Sequence, residues 1–380
     1  MLTLFVTRAL LATTLFSETF DDGDAWADRW VVSRATEEDK AGVWARNQSA
    51  WHAAEAGWGL ATTQDARFYA ISARFDAPVS TRERTLHVLY SVQHPQTIDC
   101  GGGYLKLFPS SVEQPTLHGE SPYHLMFGPD ICGATKRTHL IVAYEGRNVE
   151  RRASLPCESD VYSHLYGLRL APDGAYNVTI DGKGVGAGNL RDDFDLLPPK
   201  EIPDPNESKP ADWVDEATID DPEDVKPDGW DDVPAQIPDP TATKPEDWDT
   251  EDDGEWEAPT IANPDYKGAW TPRRIANPEY KGAWVHPRIP NPEYADDPTL
   301  GTFEDIGVLA FEIWQVRAGT IFDSILVTDD DDEAARHVGA FVDAVPAAER
   351  AKKAELDVAK EAKAAKDAAV ETPKETKDEM

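Results

Sequence analysis

Cysteine is scarce in this 380-residue chain, which holds only Cys100, Cys132 and Cys157. A small scaffold stapled by many disulfides is therefore excluded. The odd count leaves two readings open: one disulfide plus a free thiol in an oxidising compartment, or three reduced thiols in the cytosol. Long apolar runs are missing too. Leu2 to Phe16 is mostly apolar but shorter than the ~20 residues of a membrane-spanning helix, and no later segment approaches that length. That first stretch reads as a signal peptide, residues 1–14, although Arg8 interrupts it and no basic segment precedes it. Basic charge is short as well: 37 Lys and Arg against 71 Asp and Glu give a formal net charge of -34. Such a surface repels nucleic-acid backbones and anionic lipid, so neither is an expected partner. The excess carboxylate suits hard cations with oxygen ligands, calcium above all, and serves solubility equally well.

Helical periodicity is nearly absent from the first half. From about Leu15 to Leu197 short alternating apolar runs are punctuated by Gly, Pro and Asp: Phe68 to Phe75, Thr85 to Tyr90, Tyr104 to Phe108, His139 to Tyr144 and Tyr176 to Ile180. These read as strands, the last ending on the turn pair Asp181-Gly182. Many strands with almost no helix predict a mostly β fold, a β-sandwich in which two sheets each bury one face. Strand texture returns at Phe311 to Val316 and Thr320 to Val327, so the sandwich is expected at 15–197 and again, as closing strands, at 299–330. Beyond Asp329 the Ala, Lys and Glu content predicts a C-terminal helical segment over 331–380, with Pro346 as the first residue of its final helix, running to about Val370.

Between these parts, 198–298, proline recurs too often for a helix or a central strand to persist. Two kinds of repeat fill the segment. The first runs Ile202 to Trp213, Ile219 to Trp230 and Ile237 to Trp248; the second runs Gly254 to Gly268, Gly268 to Gly282 and Gly282 to Tyr294. A chain that goes out through three of one kind and returns through three of the other can pair third with first, second with second and first with third. The predicted product is a hairpin arm whose rungs stack Trp, Tyr and proline rings. A disordered proline-rich linker fits the bare composition equally well. It gives no reason for Trp213, Trp230, Trp248, Trp256, Trp270 and Trp284 to keep register.

These repeats resemble those of the calreticulin and calnexin family of endoplasmic reticulum lectin chaperones. Gln64 to Ala70, Ile98 to Phe108, Met126 to Gly133 and Trp314 to Asp323 are also similar to its signatures, and the likeness extends from about Leu15 to Asp330. Three repeats of each kind and no membrane-spanning helix resemble the calreticulin branch rather than membrane-anchored calnexin. The resemblance implies a concanavalin-like jelly roll, a lectin chaperone of the endoplasmic reticulum lumen, and partners that include monoglucosylated glycoproteins and unfolded polypeptides. A monomer is expected.

The resemblance places a carbohydrate site at Tyr104, Lys106, Tyr123, Met126, Asp130, Glu312 and Trp314. The residue types agree, since a pyranose offers an apolar face to an aromatic ring and hydroxyls to a carboxylate or ammonium. Without the resemblance each aromatic reads as core. The family carries Asp where this chain has Glu312, and the extra methylene lengthens the reach toward a sugar hydroxyl. The resemblance also implies a Cys100–Cys132 disulfide, with Cys157 free, and a calcium site made of Asp323 and main-chain carbonyls near Thr19, Ala56 and Trp58. At the arm's turn Glu251, Asp253, Glu255 and an exposed Trp256 match the patch that engages a thioredoxin-fold disulfide isomerase.

Several alternatives fail on spacing. Asp249 to Gly254 begins like an EF-hand loop, but position 12 is Thr260 and Pro259 forbids the exit helix. Gly101-Gly102-Gly103 precedes a strand and lacks a Walker lysine. Glu304 and Glu312 do not form the tight paired-carboxylate strand of sandwich glycosidases, and neither a Gly-x-Ser-x-Gly elbow nor a His-Glu-x-x-His helix occurs. An enzyme is not expected. His164 resembles a family histidine, while a lone histidine reads as structural; the Asp329 to Asp332 run reads as a helix cap. From Ala347 to Met380 nine acids face eight bases, so bulk calcium storage in the tail is expected to be poor. The final Lys-Asp-Glu-Met resembles a retrieval signal with Met for Leu. The second reading of the chain is a calcium-buffering or polypeptide-holding protein with a weakened lectin site.

Overall fold

The period-two alternation of Ile306–Gln315 shows how the first part of the molecule is built. Leu309, Phe311 and Ile313 point into the core, while Val308, Ala310, Glu312 and Trp314 occupy the strand's other face. The computed structural model describes residues 13–52 and 57–371, without the side chains of 252, 253 and 368–371. Two eight-stranded sheets form the sandwich. The first runs Lys183–Asn189, Ala175–Ile180, Ser163–Leu170, Leu86–Gln93, Ile321–Thr328, Gly59–Thr62 and Trp44–Asn47, with Thr14–Glu18 also on Ile321–Thr328. The second runs Arg147–Glu150, Thr135–Tyr144, Leu125–Cys132, Cys100–Gly102, Ile306–Gln315, Arg67–Val79 and Trp30–Val32, with Leu105–Phe108 between Leu125–Cys132 and Ile306–Gln315. Their inner faces meet on Phe311, whose ring lies 4.2 Å from Phe322, 5.9 Å from Trp30 and 6.1 Å from Tyr90.

The two outer faces differ. On the first sheet, Leu89 and Leu326 bury against Ala334 and Val338 of the helix Asp331–Glu371. Asp330 caps that helix, its carboxylate accepting from the N–H groups of Asp332 and Glu333. Asp329 and Asp331 are tied down as well, to Arg84 at 2.8 Å and to His87 at 2.7 Å. Pro346 does not start a new helix as expected: it lies inside one continuous 41-residue element. Proline there removes its own N–H bond to the preceding turn and crowds the Val342 carbonyl, and packing of the helix against the sheet offsets that cost. On the outer face of the second sheet, among the described residues, Phe108, Leu117, Tyr123, Met126, Val308 and Ala310 form a small cluster.

A separate compact unit spans Pro199–Tyr294. Three short antiparallel pairs make its rungs: Glu201–Pro203 with Arg288–Pro290, Thr218–Asp220 with Arg274–Ala276, and Gln236–Pro238 with Thr260–Ala262. Ile202 faces Ile289, Ile219 faces Ile275 and Ile237 faces Ile261. Each first-kind Trp donates its indole N–H to a glycine carbonyl: Trp213 to Gly282 at 2.8 Å, Trp230 to Gly268 at 2.9 Å, Trp248 to Gly254 at 2.9 Å. The Asn of each Asn-Pro pair closes its rung from the other side, Asn291 to Pro199 O, Asn277 to Glu216 O and Asn263 to Pro234 O.

Candidate functional site

The outer face of the second sheet gathers most of the candidate sugar residues. Register sets Lys106 opposite Ala310 on one side and Met126 on the other, so its side chain rises between Glu312 and Tyr123. Lys106 is 5% exposed, and its Nζ donates to Glu312 Oε2 at 2.7 Å. The same ammonium sits 5.0 Å from the Tyr123 ring centre and 5.9 Å from that of Tyr104. Met126 is buried beneath, against Tyr123 and Phe108. Asp130, half-buried, meets His139 Nε2 at 3.3 Å, while His139 Nδ1 meets Glu150 at 2.6 Å. Burial works against the His139 cation, but Asp130 and Glu150 on either side raise its affinity for a proton. Trp314 stands one strand over, 4.6 Å from Phe68.

Both phenols on this face are held in their neutral form. Burial, then the charges of Glu312 and Asp130, hold the Tyr104 phenol above its ordinary range; burial, then Glu150 and Glu312, push Tyr123 up to about 12. Both therefore remain O–H donors at neutral pH. Tyr104 is no free-standing surface ring, for it packs against the core as well as against the outer cluster. A Cβ on Gly102 would lie 2.6 Å from the Tyr104 ring, so the glycine run makes room for that ring. Beside it Cys100 and Cys132 face each other on paired strands and form a disulfide, leaving Cys157 free. Burial pushes the Cys157 thiol up to about 11, which suits an inert side chain.

Asp323 lies in a different place, on the outer face of the first sheet. A register shift between Asp323 and Leu326, with Ser324 at φ 52°, turns its carboxylate out of the ladder. Its Oδ1 is buried with no hydrogen-bond partner, and burial, reinforced by Asp21, pushes the carboxyl up to about 8. Thr19, Asp21 and Gly57 line the same cavity of about 290 Å³. Trp58 stands next along, its N–H 3.4 Å from Asp21 Oδ1 and its ring under Arg46. Ala56 lies outside the described residues, as does the Lys-Asp-Glu-Met terminus. Among the described residues no three His, Cys, Asp or Glu side chains cluster to hold a metal. A cation at Asp323 would therefore rest on main-chain carbonyls for most of its shell, and an orphaned buried carboxylate oxygen fits that demand.

At the arm's turn Asp249 caps the short helix Thr250–Asp253, accepting from Glu251 N–H at 2.9 Å. Glu251 and Glu255 are exposed; the Asp253 side chain is not among those described. Trp256 is half-buried rather than exposed, so only part of its ring is open to a partner. His164 has a structural setting on the first sheet: Nδ1 meets Asp181 at 2.7 Å and Nε2 meets Asp160 at 2.9 Å. Sequence reasoning missed Phe68, His139, Glu150 and the buried Glu349. Phe68 was within reach, since two paired strands of known phase set it opposite Trp314. Nothing local marks Glu349, whose partners Ser163 and Gln93 lie far back in the chain.

Comparison with known proteins agrees with this architecture. A family model described as the Calreticulin family matches residues 16–253 and 251–327. Calreticulin of Dictyostelium discoideum is 48% identical over 333 residues, 87% of this chain and 78% of that protein. Calreticulin of Homo sapiens is 51% identical over 318 residues, 83% of this chain and 75% of that one, and calreticulin of Caenorhabditis elegans is 46% identical over 355 residues, 93% and 89%. Among solved structures, the T. cruzi calreticulin globular domain superposes with a TM-score of 0.63 at 26% identity, covering 92% of this chain and 99% of that domain. With two large β-sheets, a C-terminal helix and matches of this extent, the chain belongs to the calreticulin family.

Proposed function

We propose that this chain is a monomeric lectin chaperone of the endoplasmic reticulum lumen, not an enzyme, that binds monoglucosylated N-glycans on newly made glycoproteins and holds unfolded polypeptides. The observation that carries the reading is the single outer face on which Tyr104, Tyr123, Met126, Phe68 and Trp314 surround the Lys106–Glu312 pair and Asp130. Aromatic rings suit the apolar face of a hexose. A lysine ammonium donates to hydroxyl oxygens, and carboxylates accept from hydroxyl hydrogens. The turn at Glu251, Asp253, Glu255 and Trp256 would recruit a disulfide isomerase with a basic face, its acids raising the encounter rate and its Trp supplying contact area. Calcium would be held by Asp323 with carbonyls near Thr19, Ala56 and Trp58, and when bound supplies the positive charge that the buried carboxylate lacks.

One observation favours the second reading, calcium buffering or polypeptide holding with a weakened lectin site: Glu312 already spends an oxygen on Lys106 at 2.7 Å. A glycan array decides between them. Selective capture of monoglucosylated high-mannose glycans, lost in Asp130→Ala, is the expected result; uniform absence of glycan signal alongside retained polypeptide holding would favour the weakened site.

A further inference from the structure

The cavity that contains Asp323 has a second wall with no assigned role. Phe341, Ala344, Val345, Ala348 and Glu349, all from the helix Asp331–Glu371, close it from above. Glu349 is 1% exposed, the most deeply buried acid of that helix among the described residues. Its carboxylate accepts from Ser163 N–H at 2.8 Å, Ser163 Oγ at 2.6 Å and Gln93 Nε2 at 3.2 Å. Two cations of the helix grip aromatic rings on either side: Arg350 sits 5.1 Å from the Tyr162 ring centre and Lys353 5.9 Å from that of Trp51.

A continuous set of contacts runs from this anchor toward Asp323. Trp51 and His52 are neighbours in one turn, and His52 lines the same cavity as Glu349. The His52 ring sits close against Gly57: a Cβ there would fall 1.8 Å from Nε2, and the glycine has φ 91°. Gly57 in turn donates its N–H to Asp21 Oδ1 at 3.0 Å, and Asp21 shares the cavity with Asp323. A substituent that shifts Asp21 or Gly57 therefore shifts the floor on which His52, Trp51 and the helix rest.

We propose that the C-terminal helix is a working part of the cation site, with Glu349 as a positioning residue: a divalent cation at Asp323 and the docking of residues 341–353 strengthen each other. The inference rests on the calcium reading above and adds the helix to it. Two buried carboxylates on one small cavity, one of them with an oxygen that lacks a hydrogen-bond partner, make the closed arrangement costly until a cation is present. Binding to the closed form then favours closure, and by linkage closure favours binding by the same factor.

The test uses the full chain. Hydrogen exchange of residues 341–353 is followed with calcium and with chelator in the native protein and in Asp323→Ala, and calcium affinity is titrated calorimetrically in both and in Glu349→Gln and Glu349→Ala. The expected result is slower exchange over 341–353 with calcium in the native chain only, and affinity at least threefold weaker in Glu349→Ala than in the native chain, with Glu349→Gln between. Calcium binding that depends on Asp323, with unchanged exchange and equal affinity in the Glu349 variants, overturns the coupling and leaves the calcium reading standing. Absence of Asp323-dependent binding removes both. Should Glu349→Ala fail to fold, exchange in the native and Asp323→Ala chains decides alone.

Discussion

The sandwich and the arm are held together in opposite ways. In the sandwich, Phe20, Tyr69, Tyr90, Phe311 and Phe322 have no exposed surface, and the core joins strands from both ends of the sequence. In the arm, no apolar residue between 199 and 294 is fully buried among the described residues; the buried ones are Asp221 and Asn291. Sandwich stability is therefore one cooperative quantity, whereas each rung depends on its own few contacts and its neighbours. The sandwich consequently supplies rigid placement for a site, whereas the repeats of 199–294 make a unit of low cooperativity.

The comparison is tested hardest by truncating the sandwich core. Phe311→Ala should cost about 3–5 kcal/mol and lower hydrogen-exchange protection across both sheets together, with the arm's rungs unaffected. Loosening confined to Ile306–Gln315 would show that the sandwich is not one unit. Next in size is a pH effect. Although burial opposes it, bonding to Asp181 and Asp160 raises His164 to about 9, from 6.5. Its stabilisation is then complete below about 6.5 and fades as pH rises through about 9, worth up to roughly 3 kcal/mol. Denaturant titrations of native and His164→Gln chains between pH 6 and 10 should converge at the alkaline end; a constant gap contradicts the assignment.

Smaller effects belong to the arm. Trp256→Ala should weaken isomerase binding by about 2 kcal/mol in calorimetry, and Glu251→Gln by less, chiefly through slower, salt-sensitive association. Equal affinity in the Trp256 variant would move recruitment elsewhere. Trp230→Phe removes the indole bond to Gly268 and should cost about 1 kcal/mol, read as faster exchange in the middle rung alone. If all three rungs loosen together, the arm is cooperative and the contrast fails.

Legibility in the sequence followed the same divide. The arm could be read because its contacts are repeated: Trp, Ile and Asn-Pro recur at fixed spacing, and the pairing of Ile202 with Ile289 follows from counting. Strand phase in the sandwich was also readable, but phase alone does not say which face is core. Lys106 illustrates the limit, since a lysine suggests solvent and this one is buried against Glu312, 206 residues away in sequence. The helix through Pro346 escaped because propensity argues for a break there and tertiary packing overrides it. Glu349 escaped because burial of an acid depends on a sheet surface that no local pattern announces.

The central claim is that the outer face of the second sheet binds a glucose-capped oligomannose. Calorimetric titration of the full chain with a monoglucosylated oligomannose and with its unglucosylated counterpart, repeated on Asp130→Ala, tests it most directly. The account predicts saturable binding of the glucosylated sugar to the native chain, little or none of the other, and loss of the signal in the variant. Equal heats for both sugars, or undiminished affinity in Asp130→Ala, would contradict it.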